Sequence, residues 1–91
     1  MKEIIVRVVD ENRNPLDENI AQYLDVHFYF DKDFEIMPAT SSNTYTIRTN
    51  SNYMRVEVSV GKIILYQYFG EVKNIDVVIT KDKIEAIKKL I

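Results

Sequence analysis

The chain has 91 residues, a length that fits one small domain. Apolar residues make up 46% and charged residues 29%, which excludes a disordered chain, and the absence of cysteine excludes disulfides, thiolate metal sites and a thiol nucleophile. The net charge of −2 argues against nucleic acid as a partner, and no run of about 20 apolar residues offers a membrane span. Without an apolar signal segment at the start, we expect a cytoplasmic protein.

Side chains that alternate between apolar and polar dominate the chain and predict β-strands. In the run at 53–60, for example, one face carries the apolar residues Met54, Val56, Val58 and Val60, and the other carries Tyr53, Arg55, Glu57 and Ser59. The same alternation gives the first strand an inward set of Ile4, Val6 and Val8, the second Leu24, Val26, Phe28 and Phe30, the fourth Tyr45 and Ile47, and the last Ile75, Val77 and Ile79. Seven short strands are predicted at 3–9, 24–30, 34–37, 44–49, 53–60, 63–69 and 72–79, a number and spacing typical of a sandwich or a barrel.

Short turn signals separate the strands. Gly61-Lys62 and Gly70-Glu71 each predict a tight hairpin, and loops are expected at 38–43 and 50–52. Residues 17–23 fit either a helical turn or a lead-in to the second strand, and the sequence leaves both open.

The period changes at the C-terminus and predicts an amphipathic helix at 81–91 after a β-domain at 1–80. Apolar residues recur there at helical spacing. Asp82 and Glu85 form a capping-box pattern, and Lys88 and Lys89 suit the negative end of the helix dipole. A helix of about ten residues is too short to hold alone in water, so its apolar stripe must pack on the domain or on a partner.

The loop after the first strand spaces Asp10, Asn12 and Asn14 two residues apart, as an EF-hand calcium loop does. Pro15 stands where that motif requires Gly, and Ala21 where it requires a bidentate Glu. A turn built by Asn and Asp is the better interpretation, and we predict no metal site.

The run V-x-V-V-D-E-N-R-N-P-L-D, followed by N-T-Y-T-I and Y-M-R-V-E-V-S-V-G, resembles transthyretin-like or carboxypeptidase regulatory-like domains. The resemblance covers residues 4–79 and implies a mainly β fold, a seven-stranded Greek-key (Ig-like or transthyretin-like) sandwich, here with a short C-terminal α-helix. Arg13 and Thr44 occupy positions where that family usually has Gly. Within it, the hydroxyisourate hydrolases use several histidines and a distinctive C-terminal tetrapeptide. This chain has one histidine and ends Lys-Lys-Leu-Ile, which counts against that activity.

Few side chains here suggest catalysis. His27 alternates with Asp25 and Tyr29 on the outer face of its strand, but no nucleophile is placed beside it by the sequence. Asp31, Asp33 and Glu35 fit a solvated turn better than an acid–base pair. No Gly-rich phosphate loop is present, and we predict neither a cofactor nor an enzyme.

The sixth strand, IILYQYF, is unusual because alternation makes both of its faces apolar or aromatic. Ile63, Leu65 and Phe69 fall on one face, and the other carries Ile64, Tyr66 and Tyr68. Either the strand is buried on both faces within the domain, or its second face is covered by the C-terminal helix of this chain or of a partner. The predicted interface therefore comprises Ile64, Tyr66, Tyr68, Ile84, Ile87, Leu90 and Ile91.

The favoured function is that of a non-catalytic protein-binding or structural module that self-associates or docks into a larger assembly. The alternative is a nucleic-acid-binding sheet, in which aromatic side chains stack on bases beside cationic groups. Its residues would be Tyr29, Tyr53, Tyr66, Tyr68, Arg7, Arg48 and Arg55.

Overall fold

A computed structural model of the chain describes residues 1–38, 41 and 43–91. Within them lie seven strands, β1 (Lys2–Val9), β2 (Asp25–Phe30), β3 (Phe34–Ile36), β4 (Thr44–Thr49), β5 (Tyr53–Val60), β6 (Ile63–Glu71) and β7 (Ile75–Val78), and two helices, α1 (Glu18–Ala21) and α2 (Lys81–Leu90). The predicted mainly β fold with a short C-terminal helix is confirmed. The loop predicted at 38–43 includes residues 39, 40 and 42, which lie outside the described ones.

The described strands form two sheets. One has four strands in the order β3-β4-β1-β7, and the other has three in the order β2-β5-β6. The β1–β7 pair is parallel and the other pairs are antiparallel. The hairpin predicted at Gly61-Lys62 is confirmed, because Val60 pairs with Ile63 across it. The hairpin predicted at Gly70-Glu71 is wrong: both residues continue β6, and β7 belongs to the other sheet.

The alternating apolar residues of both sheets share one core. All three inward residues predicted for β1 are buried, as are Ile47 of β4, Met54, Val56 and Val58 of β5, and Ile75, Val77 and Ile79 at the β7 end. The predicted inward residues of the second strand, with Tyr45, are partly buried and pack against this core. Burying aliphatic side chains at about 25 cal/mol per Å² is the main source of stability in a fold of this size.

The loop after β1 is a turn closed by its own acidic residue. The Asp10 carboxylate accepts hydrogen bonds from the backbone amides of Asn12 (2.8 Å) and Asn14 (3.0 Å), and Arg13 takes the left-handed conformation at φ 64°. The predicted turn is confirmed, and one Asp10 carboxylate oxygen is engaged by two backbone amides. Residues 17–23, left open by the sequence, contain α1, where Asp17 accepts a hydrogen bond from the Asn19 amide at 2.9 Å.

Helix α2 begins at Lys81, as the helix predicted at 81–91 does, but its N-cap lies two residues before Asp82, the N-cap that the capping-box pattern predicts. Thr80 is the N-cap and makes no side-chain cap bond; instead Glu11, from the turn after β1, accepts a hydrogen bond from the Lys81 amide at 2.8 Å. The capping box of Asp82 and Glu85 is therefore wrong, because a distant carboxylate takes its place at the positive end of the helix. Neither described helix has the length and apolar character needed to cross a membrane.

Two buried hydroxyl groups fix the loop between β2 and β3. The Thr49 hydroxyl donates to the Asp33 carbonyl at 2.8 Å, and the Ser51 hydroxyl accepts from the Lys32 amide at 2.9 Å. Both side chains are fully buried, so a hydroxyl left without a hydrogen bond there would lower the stability of the fold. The segment that carries Asp31 is thereby held against the end of β4.

Candidate binding surface

The pairing of β5 with β6 contains a bulge that decides which side chains of β6 face the core. Val58 lies opposite Tyr66, but its neighbour Ser59 lies opposite Ile64, so Leu65 is an extra residue in β6. Opposite residues of an antiparallel pair project from the same face. Tyr66 therefore shares the core face with Val58, and it packs against the buried cluster.

The prediction that Ile64, Tyr66 and Tyr68 share one face of β6 is wrong. Strict alternation has no place for an extra residue, and the bulge reverses the pattern beyond it. Ile64 stays on the outer face, whereas Tyr66 and Tyr68 turn inward and Phe69 turns outward. Burial raises the pKa of the Tyr66 hydroxyl, and the adjacent Tyr68 raises it further.

Tyr68 lies over Gly70 on the inner side of β6. Its hydroxyl donates to the Glu71 carbonyl at 2.7 Å, and a β-carbon placed on Gly70 would lie 2.6 Å from the hydroxyl oxygen. Glycine at this position thus leaves room for the tyrosine ring. This close approach, rather than a turn, explains the glycine that suggested a hairpin.

The predicted interface residues of α2 divide into two groups. Ile87 is 1% exposed and belongs to the core of this chain, with Ile84 packed beside it. Leu90 is 57% exposed, and Ile91 is exposed as well. The structure therefore joins Ile84, Ile87, Tyr66 and Tyr68 to one core and leaves Ile64, Leu90 and Ile91 at the surface.

The outer face of the three-stranded sheet carries a row of side chains, here named the aromatic row, in which two aromatic rings flank an arginine. Tyr29 of β2 lies opposite Arg55 of β5, and Arg55 lies opposite Phe69 of β6. The next row, of His27, Glu57 and Gln67, is polar. The aromatic side chains are thus concentrated at the end of the sheet where β2 and β6 finish and β5 begins.

Beside this row is an open groove of about 560 Å³, here named the aromatic groove, which is lined by Tyr29, Phe30, Asp31, Tyr53, Met54, Arg55 and Phe69. Its rings are exposed: Tyr29 by 47%, Tyr53 by 58% and Phe69 by 78%. The Arg55 guanidinium lies 4.2 Å from the centre of the Tyr29 ring, a cation–π distance. Arg55 therefore holds one ring of the groove in place while its charge stays at the surface.

A carboxylate marks the other side of the groove. Asp31 accepts a hydrogen bond from the Tyr53 amide at 3.3 Å. Partial desolvation raises the pKa of Asp31, but hydrogen bonds from backbone amides, led by that of Tyr53, and from the Ser51 hydroxyl outweigh it, so the pKa lies below its usual value. The groove thus combines apolar rings with one cation and one anion.

The remaining polar candidates lie apart from the groove. His27 lies opposite Glu57, and Glu35 lies opposite Arg48 at the edge of the other sheet. Over the described ranges, no three His, Cys, Asp or Glu side chains are grouped closely enough to hold a metal ion.

Of the residues proposed for nucleic-acid binding, only Tyr29, Tyr53 and Arg55 meet on one face. Arg7 and Arg48 lie on the four-stranded sheet in ion pairs with Asp76 and Glu3. Phe69, which completes the row, was assigned to the wrong face by the sequence. A signal for it exists: Gln67 is the only polar residue in 63–69, it marks the solvent side, and Phe69 is two residues away.

No family model, curated protein or solved structure matches the chain. The transthyretin-like resemblance accordingly remains a prediction.

Proposed function

We propose that the chain is a non-catalytic protein-binding module that receives an extended segment of another polypeptide in the aromatic groove. The observation that carries this proposal is the cluster of exposed rings of Tyr29, Tyr53 and Phe69 around one groove. Exposed apolar patches of this kind mark interaction sites on soluble domains. Tyr and Arg are also the side chains enriched among the residues that dominate binding energy.

The size and shape of the groove support a polypeptide ligand. A volume of about 560 Å³ falls in the range of known ligand pockets. The groove is open along the sheet surface, which suits a chain lying across it better than a small molecule that needs enclosure. Aromatic side chains with two rotatable bonds also lose little conformational entropy on contact.

The charges at the groove favour a ligand with both polar and apolar contacts. Asp31 offers a carboxylate to a cationic or amide group, and Arg55 offers a cation from its place on the Tyr29 ring. Such groups set orientation, while the rings supply most of the contact area.

Selection from a phage-displayed library of random peptides tests this proposal. Selected peptides should bind the unmodified chain and the surface control Ile5→Ser equally, because Ile5 is exposed on the other sheet. They should bind the double variant Tyr53→Ser/Phe69→Ser at least about tenfold more weakly, a loss of about 1.4 kcal/mol. Equal binding to the double variant, or no enrichment over an empty support, would contradict the proposal.

Nucleic-acid binding is the second candidate, because the sheet brings Tyr29, Tyr53 and Arg55 together and ring faces can stack bases. Opposing it are the carboxylates of Asp31, Glu57 and Glu71 on the same sheet and the net charge of −2. Fluorescence anisotropy with a labelled oligothymidine at low salt decides between the two. A salt-sensitive rise that disappears in Arg55→Gln would favour this candidate, and a flat titration would remove it.

The proposal includes a topology for the fold and a location in the cell. The fold is taken to be a Greek-key sandwich of the transthyretin-like kind, supported by the placement of β1 between β4 and β7, neither of which adjoins it in sequence. The location is taken to be cytoplasmic, which fractionation of cells expressing the tagged chain would test.

A further inference from the structure

Strand β6 is an edge strand, and most of its edge lacks the usual protection against pairing. It is nine residues long, and no strand in the described part of the chain pairs with its second side. Natural edges are blunted by Lys, Pro, bulges or covering segments. Between Ile63 and Gly70, β6 contains no charged residue and no proline.

The first third of this edge is protected. The bulge at Leu65 interrupts the ladder there, and the Lys83 ammonium of α2 donates a hydrogen bond to the Leu65 carbonyl. After β6 ends at Glu71, the Val72 amide is bonded to the Asn52 carbonyl at 3.1 Å. Among the described residues, the stretch of this edge without a strand partner is therefore 66–71; within it the Glu71 carbonyl already accepts a hydrogen bond from the Tyr68 hydroxyl and keeps one lone pair for a further donor.

We propose that a second copy of this chain pairs antiparallel with β6 along this stretch, with a twofold axis beside Phe69. The two three-stranded sheets then form one continuous sheet across the axis. This inference concerns the strand edge and goes beyond the proposed function, since it holds whether or not the groove binds a peptide.

The alternation of side chains restricts the register. Residues that lie opposite each other in an antiparallel pair must project from the same face of the sheet. With a twofold axis normal to the sheet, this requires that the axis pass beside a residue that lies opposite its own copy. The two residues at the centre of the stretch 66–71 are Tyr68 and Phe69, so these are the two possible positions of the axis. An axis at Tyr68 would set Glu71 opposite Leu65 of the second copy, where the bulge breaks the regular ladder and the Lys83 side chain lies at the edge. An axis at Phe69 avoids the bulge.

The register at Phe69 also matches the side chains. It sets Phe69, at 78% exposure, against Phe69 of the second copy, so that each ring covers the other. Glu71, the only charged residue of the stretch 66–71, then lies opposite the Gln67 amide of the second copy rather than another carboxylate. The Gln67 amide donates one proton to Glu57 within its own chain at 3.3 Å and has a second to offer.

A second copy is favoured over an unrelated strand because it places a Gln67 amide, and not a second carboxylate, opposite Glu71. Its own sequence satisfies the edge without a like-charge contact, and each polar contact occurs twice by symmetry. An unrelated extended segment would bind the same edge without the twofold relation between residues, and the experiment separates these cases.

Single-cysteine variants test the inference cleanly, because the chain has no cysteine of its own. Under mild oxidation, Phe69→Cys should form a disulfide-linked dimer, since opposite strand residues lie within disulfide distance. Gln67→Cys should cross-link much more with Glu71→Cys than with itself. Ile5→Cys, exposed on the other sheet, is the control and should remain largely monomeric.

Sedimentation equilibrium from about 1 µM to about 1 mM provides the second measurement, over the range where a small interface associates. The unmodified chain should shift from monomer to dimer, and Phe69→Lys should weaken that association at least tenfold by setting two cations opposite each other. Circular dichroism of Phe69→Lys verifies that the fold is kept. A monomer throughout, cross-linking no greater than that of Ile5→Cys, or a dimer unaffected by Phe69→Lys would overturn the inference, and none of these results depends on peptide binding in the groove.

Discussion

The outer faces of the two sheets differ in how their side chains are satisfied. On the four-stranded sheet, Arg7 forms a two-point contact with Asp76 at 2.9 and 2.7 Å, and Arg48 meets Glu3 at 3.3 Å. On the three-stranded sheet, the outer face instead carries the exposed rings of the aromatic row, Tyr29 and Phe69. Charges on the first face neutralise one another within the chain, which is typical of a solvated surface, whereas the second face presents apolar area that another molecule would cover.

The first prediction, with the largest expected effect, concerns α2, which packs on the core that the two sheets share. Ile87→Ala should lower the free energy of unfolding by about 3 kcal/mol, because it removes a fully buried side chain from the core. Leu90→Ala, three residues later and exposed, should change it by less than about 0.5 kcal/mol. Urea unfolding of both variants measures the difference, and similar small losses would mean that the helix does not pack on its own chain.

The bulge in β6 gives the second prediction, since it determines which rings belong to the surface. Tyr66→Ala should cost about 2 kcal/mol, roughly half the value for a fully buried aromatic residue. Phe69→Ala, measured at low concentration, should cost less than about 0.5 kcal/mol. Uninterrupted alternation predicts the reverse order, so a larger loss for Phe69→Ala would refute the register and remove the aromatic row with it.

Gly70 gives the third, smaller effect, on the inner side of the same strand. Gly70→Ala should displace the Tyr68 ring and break the bond from its hydroxyl to Glu71, a net loss of about 1 kcal/mol. In a Tyr68→Ala background the obstacle is gone, and the same substitution should be neutral or stabilising. Equal effects in the two backgrounds would show that the ring does not occupy this space.

The sequence predicts the strands well because alternation is a local property. Val56 and Val58 reveal their face through their immediate neighbours, and six of the seven strand positions follow within about two residues by the same reasoning. The last strand is shorter than predicted, starting at Ile75 rather than at 72, because residues 72–74 carry the chain from one sheet to the other.

The candidate surface was harder to predict because it depends on pairing between distant segments. The hairpin at Gly61-Lys62 fixes one register between β5 and β6, and the inward packing of Tyr66 requires a register that differs from it by one residue. Leu65 is the extra residue that lies between these two registers. Tyr29 and Phe69 are joined across β5, which no local pattern shows. Likewise, Glu11 caps α2 from a turn far away in sequence, so the capping of the helix could not be predicted from Asp82 and Glu85, although its start at residue 81 was.

The fourth prediction, with the smallest effect, contrasts one carboxylate from each face. A hydrogen bond from Arg7 lowers the pKa of Asp76, partial desolvation opposes this, and attraction to Arg7 and Arg13 adds to the lowering. The pKa of Asp31 is also lowered, although there desolvation is outweighed by hydrogen bonds from backbone amides and a hydroxyl. Because both values fall below that of the unfolded chain, about 3.9, each carboxylate stabilises the fold above that pH and loses its contribution as the pH falls through its folded value.

Salt should separate the two carboxylates, because it screens exposed ion pairs far more than hydrogen bonds to backbone amides. Thermal unfolding of Asp76→Asn and Asp31→Asn, followed between pH 7 and pH 2, should show each variant slightly less stable than the unmodified chain at neutral pH and equal to it in acid. Adding about 1 M NaCl, which shortens the screening length to about 3 Å, should erase the Asp76 difference and leave that of Asp31. If salt reduced the stability difference of both variants equally, the Asp31 carboxylate would be stabilised by nearby charge and not by backbone amides. The two carboxylates would then not differ in the way that their contacts require.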